Sequence, residues 1–402
     1  MKFSRLSQLF LVSSIGLLVA VLLTACQIVT IDYVFVAASS SSGASSSGQI
    51  QAFAVDAESG AVRNIAPAVS SGGANPIAMA VSSDFNNLYV ANADGSVVHF
   101  SIAYNGVLTK KESVTLGTLP VALTVGADNK YLFVVSGSSS ATLTEFPLAS
   151  GVIGAAAATE SLSVPGYGDD TIIPTGVTVL TSGAAVYATA YDRTAYNPGG
   201  STSSSANPGW VFGFAIGSGG ALAPTAHSPY QAGVKPSAIV AEPTNRFVYV
   251  TDYASNQLIG YTLLDATTLN FLTNGPFRTG SQPTSILVDP RGKFIYNSNA
   301  LDSSVSAYEI VQATGTPSPV VNPTGSATNS TDTQPVAIAI DPALGRFIYT
   351  ANYLGNSLSG FRLDSSTGTL KQTQSTPYPT GPHPTALVLV PHGNHAIQAV
   401  AP

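Results

Sequence analysis

The stretch PVAIAIDPALGRFIYTANYLGNSLSGFRLDSSTGTL, residues 335–370, holds one full copy of the unit from which most of the chain is built. Pro335 opens an apolar run, Val336 to Ile340, which ends at an Asp341-Pro342 turn. A second run from Phe347 to Asn352 is aromatic and β-branched, a third extends from Ser357 to Leu363, and a fourth follows the Ser366-Thr367-Gly368 turn. Short runs of this composition between turn residues are strand signals.

Anchored on that proline, the unit recurs at Pro76, Pro120, Pro174, Pro236, Pro283, Pro335 and Pro384, at spacings of 44, 54, 62, 47, 52 and 49 residues. Four short strands per repeat are the pattern of a propeller blade. Six copies are complete, from about Gly73 to Gly381. The ends supply the seventh: Tyr33 to Ala37 aligns with a second strand, Gln49 to Val55 with a third, and Thr385 to Leu389 with a first. Joining them removes the open sheet edge. His395 to Val400 competes with Tyr33 to Ala37 for the second-strand slot, which we expect the N-terminal segment to fill. The expected fold is an all-β, seven-bladed propeller of four-stranded antiparallel blades over residues 31–402, with one blade completed by both termini.

The Tyr-Val-Ala-Asn core at 89–92 and the Ile-Tyr-Thr-Ala-Asn core at 348–352 resemble those of YVTN propellers. The unit at 335–370 is similar to those of the lactonase-type seven-bladed propellers typified by 6-phosphogluconolactonase. The resemblance covers nearly all of residues 31–402 and is carried by strand and turn residues. It implies lactone hydrolysis, with His, acidic and Arg side chains near the channel mouth and His commonly just after the blade proline. Those positions here hold Ile77, Val121, Thr175, Ser237, Thr284, Val336 and Thr385, so the family's histidines have no matching residue.

Lys2 and Arg5 precede an apolar run from Leu9 to Ala25 that ends at Cys26, the order of a secretory signal. Leu23-Thr24-Ala25-Cys26 resembles a bacterial lipobox, which implies cleavage after residue 25, lipid on Cys26 and a tether over 26–30. A lone cysteine forms no disulfide within the chain; the alternative is an ordinary signal peptide or membrane anchor with an incidental cysteine. Gln27 after the cysteine points to the outer membrane of the cell envelope. The mature chain would keep 13 basic and 21 acidic residues, which argues against nucleic acid as a partner. Charged residues make up 9% of the chain and apolar ones 45%, so Ser, Thr, Asn and Gly supply much of the polar surface of a large core. Ser39 to Ser47 reads as a flexible loop.

First strands line a propeller channel. Two positions past each proline stand Ala78, Ala122, Gly176, Ala238, Ser285, Ala337 and Ala386, all small; four positions past it no residue is titratable. General acid–base chemistry has no candidate in this wall. Two long loops, 164–174 and 191–210, emerge on one face and bring Tyr167, Asp169, Asp170, Asp192, Arg193, Tyr196 and Trp210 to one rim. Lys235 and His383, each just before a blade proline, and the nearby Arg278 are candidates for holding an anion. His392 and His395 fall in a turn on the face opposite His383, so no metal site is expected, and no cofactor is implied. His99 and His227 read as structural.

Two functions follow. One is a lipid-anchored binding propeller that presents its loop-rich face to a glycan, small molecule or protein, with Tyr167, Asp169, Tyr196, Trp210, Lys235, Arg278 and His383 as ligand residues. The other is a lactone hydrolase with Asp170 or Asp192 activating water and Arg193, Lys235 or Arg278 stabilising the oxyanion.

Overall fold

The computed structural model describes residues 29–39, 47–138, 140–166, 171–194, 208–398, 400 and 402. Seven antiparallel sheets stand around an axis as blades, numbered 1 to 6 from Pro76, Pro120, Ile172, Pro236, Pro283 and Pro335, with blade 7 closing the ring. Each first strand contacts the first strands of both neighbours, including Pro384–Pro391 against Pro76–Val81. In blade 7, Pro384–Pro391 is the inner strand, Thr30–Ala38 the second and Ser47–Asp56 the third. Ala37 pairs with Ala386 and Tyr33 with Val390, so the N-terminal segment takes the contested slot. The C-terminal candidate for it forms instead a short 3-10 turn, Gly393–Ile397.

The fourth strand departs from the four-strand expectation. Only in blade 1 is it continuous, as Leu108–Thr115; in blades 2 to 7 it is broken into two pieces that pair with opposite halves of the third strand. Leu269–Phe271 and Phe277–Arg278, both on Gln257–Leu263, show the arrangement.

Second strands such as Phe247–Asp252 and Phe347–Asn352 are buried at every residue, because sheets packed face to face cover both of their sides. The apolar core is accordingly divided into seven clusters among the described residues, one per blade interface. A tyrosine in the second strand fastens most interfaces. Tyr89, Tyr187, Tyr249, Tyr296 and Tyr349 donate to the carbonyls of Gly151, Thr267, Gly315, Gly368 and Gly60, each in the outer turn of the next blade, at 2.6–2.8 Å. Gly315 has φ +74°, and a Cβ there would overlap the Phe247 ring, so both backbone angle and space call for glycine.

Blades 7 and 2 carry Phe35 and Phe133 at the tyrosine position. Opposite Phe133 lies Glu145, fully buried beneath Gly220, with neither carboxylate oxygen hydrogen-bonded. Desolvation raises its pKa from 4.5 to about 7. Its contribution to stability is therefore complete below about pH 4.5, where both states are protonated, and is lost as pH rises to about 7.

Two outcomes follow. Tyr249→Phe should cost about 1–2 kcal/mol in urea unfolding by leaving the Gly315 carbonyl without its donor, and Gly315→Ala about 2 kcal/mol or more. Glu145→Gln should raise Tm at pH 8 and leave it nearly unchanged at pH 4; an equal gain at both would refute the buried carboxylate.

Candidate ligand-binding mouth

In every blade the register shifts just after the proline: Pro236 faces Asp252 while Ala238 faces Thr251, so Ser237 is bulged. The same shift occurs at the other six prolines. A bulge re-aims its side chain. At the proline end the channel widens into a cavity of about 320 Å³, lined by bulged residues such as Thr284 and by the seven small residues behind them. Four of its hydroxyls are hydrogen-bonded within the wall, three of them to the next blade. Ser237, Thr284 and Thr385 donate to the carbonyls of Pro283, Pro335 and Pro76 in the following blade at 2.7, 2.9 and 2.7 Å, and Thr175 donates to Thr189 at 2.9 Å. None of the residues lining the cavity carries a titratable side chain.

Around the mouth, the residue after the second strand donates its N–H to the carbonyl of the pre-proline residue, as Tyr253 does to Lys235 and Tyr353 to Gln334. Three blades have tyrosine near this place: Tyr191, Tyr253 and Tyr353. The Lys235 ammonium lies 4.6 Å from the Tyr253 ring centre and 5.3 Å from that of Tyr191, in cation–π range of both. Partial burial holds its pKa below the ordinary lysine value. The Lys235 loop is fixed from below: Asp252 accepts the N–H groups of Val234 and Lys235 at 2.9 Å each. On blade 7, exposed His383 stacks on Tyr353, ring centres 4.7 Å apart, and its N–H donates to Asn356.

Carboxylates on this face pin loops. Asp94 accepts from Ala74 and Ser96, Asp302 from Ser281, Asp332 from Thr333 and Ser357, and Asp192 from Thr194. Hydrogen bonds hold Asp94 and Asp332 below the usual carboxylate range, which makes them poor bases near neutrality.

Of the residues that the sequence placed at one rim, Asp192, Arg193 and Trp210 do lie at one end of blade 3, on or next to the paired strands Ala185–Asp192 and Gly209–Ile216. Asp192 is 3% exposed, and Arg193 reaches the Ser138 carbonyl of blade 2 at 3.4 Å. Trp210 is 2% exposed, packed with Leu162, Val164 and Ile172 between blades 2 and 3, and so is a core residue with no ring face for a ligand. Arg278 lies on the outermost half-strand of blade 4, its carbonyl accepting from Tyr308, and is removed from Lys235 by the width of the sheet. Tyr167, Asp169, Asp170, Tyr196 and Cys26 lie outside the described residues. Sequence reasoning missed Tyr253 and Tyr353, whose signal was the aromatic residue directly after the Asp or Asn that ends the second strand.

The family model described as "Lactonase, 7-bladed beta-propeller" matches residues 34–170 and 223–400. The intervening residues include the first three strands of blade 3. No curated protein matches the chain. Among solved structures, a Bacteroides fragilis protein provisionally named 6-phosphogluconolactonase is similar at TM-score 0.71 and 19% identity, covering 90% of this chain and 98% of its own. A Bacteroides uniformis protein of the same provisional name gives TM-score 0.72 and 16% identity, with 90% and 100% covered. The periplasmic gluconolactonase of Pseudomonas aeruginosa gives 0.69 and 20%, with 90% and 99% covered. With more than half of its length matched by the family model, the chain belongs to the seven-bladed β-propeller lactonase family.

Proposed function

We propose that this protein is an exported, lipid-anchored propeller whose proline-end mouth binds a small anionic, polyhydroxylated ligand of the sugar-acid or lactone class. The observation that carries the reading is the Lys235 ammonium held between Tyr191 and Tyr253 above an uncharged cavity. A desolvated ammonium attracts a carboxylate or phosphate strongly, and aromatic faces beside it suit the C–H faces of a sugar ring. His383 on Tyr353 offers a second polar and aromatic contact on the same rim.

Lactone hydrolysis is the second reading, favoured by family membership and by the names of the Bacteroides and Pseudomonas neighbours. Water would add to the lactone carbonyl, the ring C–O bond would break, and the water proton would pass to the leaving alkoxide, giving a hydroxy acid. Lys235 would stabilise the oxyanion; Asp170 or Asp192 would take the base role. The binding reading stands ahead of it because each described carboxylate on this face, Asp192 included, is already pinning a loop.

Export and anchoring rest on the 9–26 segment, and the periplasmic location in the Pseudomonas neighbour's name is in line with export. Cys26→Ser should abolish incorporation of labelled fatty acid and release the protein from membranes; unchanged labelling would refute the anchor. Calorimetry with gluconate, glucuronate and 6-phosphogluconate should show binding to at least one, weakened about tenfold (about 1.4 kcal/mol) or more by Lys235→Met. Binding untouched by that change would exclude the proposed mouth. A lactone panel followed by pH-stat separates the readings: turnover lost in Asp192→Asn or Asp170→Asn establishes hydrolysis, and none above background retires it.

A further inference from the structure

On the face opposite the mouth, three segments far apart in sequence converge. Asp32 is the third residue of the second strand of blade 7, Asp341 sits in the Asp-Pro turn of blade 6, and His395 lies in the tail turn. They are 0%, 0% and 5% exposed. His395 Nε2 is 3.0 Å from Asp341 Oδ1 and 3.5 Å from Asp32 Oδ1, and one donor atom from each residue lies within 4.8 Å of the other two. Asp341 is oriented by the N–H groups of Ala343, Leu344 and Arg346. Asp32 differs: neither oxygen has a hydrogen-bond partner, although the side chain is fully buried and faces the cluster.

We propose that Asp32, Asp341 and His395 form a site for one divalent transition ion, of the zinc or manganese kind, that fastens the C-terminal tail to the ring closure. Two dry carboxylates facing each other need positive charge between them. Arg346 does not supply it at hydrogen-bonding distance, since its guanidinium lies over the Phe347 ring at 5.6 Å and no donor reaches Asp32. His395 Nδ1 faces Gln398 Oε1 at 3.2 Å; with the ring proton donated there, the Nε2 lone pair points at the two carboxylates, the outer-shell arrangement that orients metal-binding histidines. Two ligands about 2.0–2.2 Å from a shared tetrahedral ion stand roughly 3.4 Å apart, close to the 3.0 and 3.5 Å observed. One imidazole with two carboxylates suits zinc or manganese better than the all-oxygen shell of calcium, and two carboxylates neutralise the dication. The competing occupant is a proton, shared between an imidazolium and a protonated Asp32.

The test uses the tag-free mature protein, stripped with chelator and dialysed against Zn²⁺ or Mn²⁺, with bound metal counted by mass spectrometry and Tm followed. The expected result is one ion per chain and a Tm rise of about 3 °C or more at saturation. The nearly isosteric Asp32→Asn and the tail variant His395→Ala should each lose both, while His383→Ala and His392→Ala keep both. No retained ion, or equal retention in Asp32→Asn, overturns the proposal, and a higher Tm for metal-free Asp32→Asn then identifies the proton as the occupant.

Discussion

The hydrogen bond from a second-strand tyrosine to the outer turn of the next blade is the constraint on which the ring rests. Blades packed face to face bury both sides of every second strand, so an outer-turn carbonyl pressed against the neighbour has no water to meet it. The phenol of Tyr249 or Tyr349 answers that need from across the interface. That side chain bridges five of the seven blade interfaces. It also explains why Gly60, Gly315 and Gly368 recur opposite Phe347, Phe247 and Phe294, where a larger residue would overlap the ring. The Phe-x-Tyr pattern of the repeat is thus as much an interface signature as a strand signature.

This accounts for how much of the fold was legible. Pro, second-strand tyrosine and turn glycine obey local rules, so seven blades and the composite closure follow from spacing alone. The broken fourth strand was not legible, because it depends on where the third strand of each sheet runs out of partners. The rim was misjudged at Trp210 for a related reason: a large aromatic next to a long loop looks exposed until the neighbouring blade is placed over it. Asp32 and Asp341 escaped notice because they meet only across the interface between blades 6 and 7, and the Asp341-Pro342 pair is fully explained as a turn when seen alone.

The side chains of the channel and its rim are divided by depth. The channel wall, made of bulged and small residues, spends its hydroxyls on its own neighbours, and the rim carboxylates hold loops in place. Between them lies the Lys235 ammonium, set against the faces of Tyr191 and Tyr253. A fold of this kind carries its function in the side chains set on its rim rather than in the ring itself.

The composite blade also gives the chain a direction in time. Thr30–Ala38 is made before all six intervening blades, and Pro384–Pro391, which must lie beside it, after them. A chain emerging N-terminus first therefore carries an unpaired strand edge until Pro384–Pro391 is delivered, and no closed ring can form ahead of it. Closure of the ring is thus the last event of folding, set by chain order rather than by the strength of any one interface.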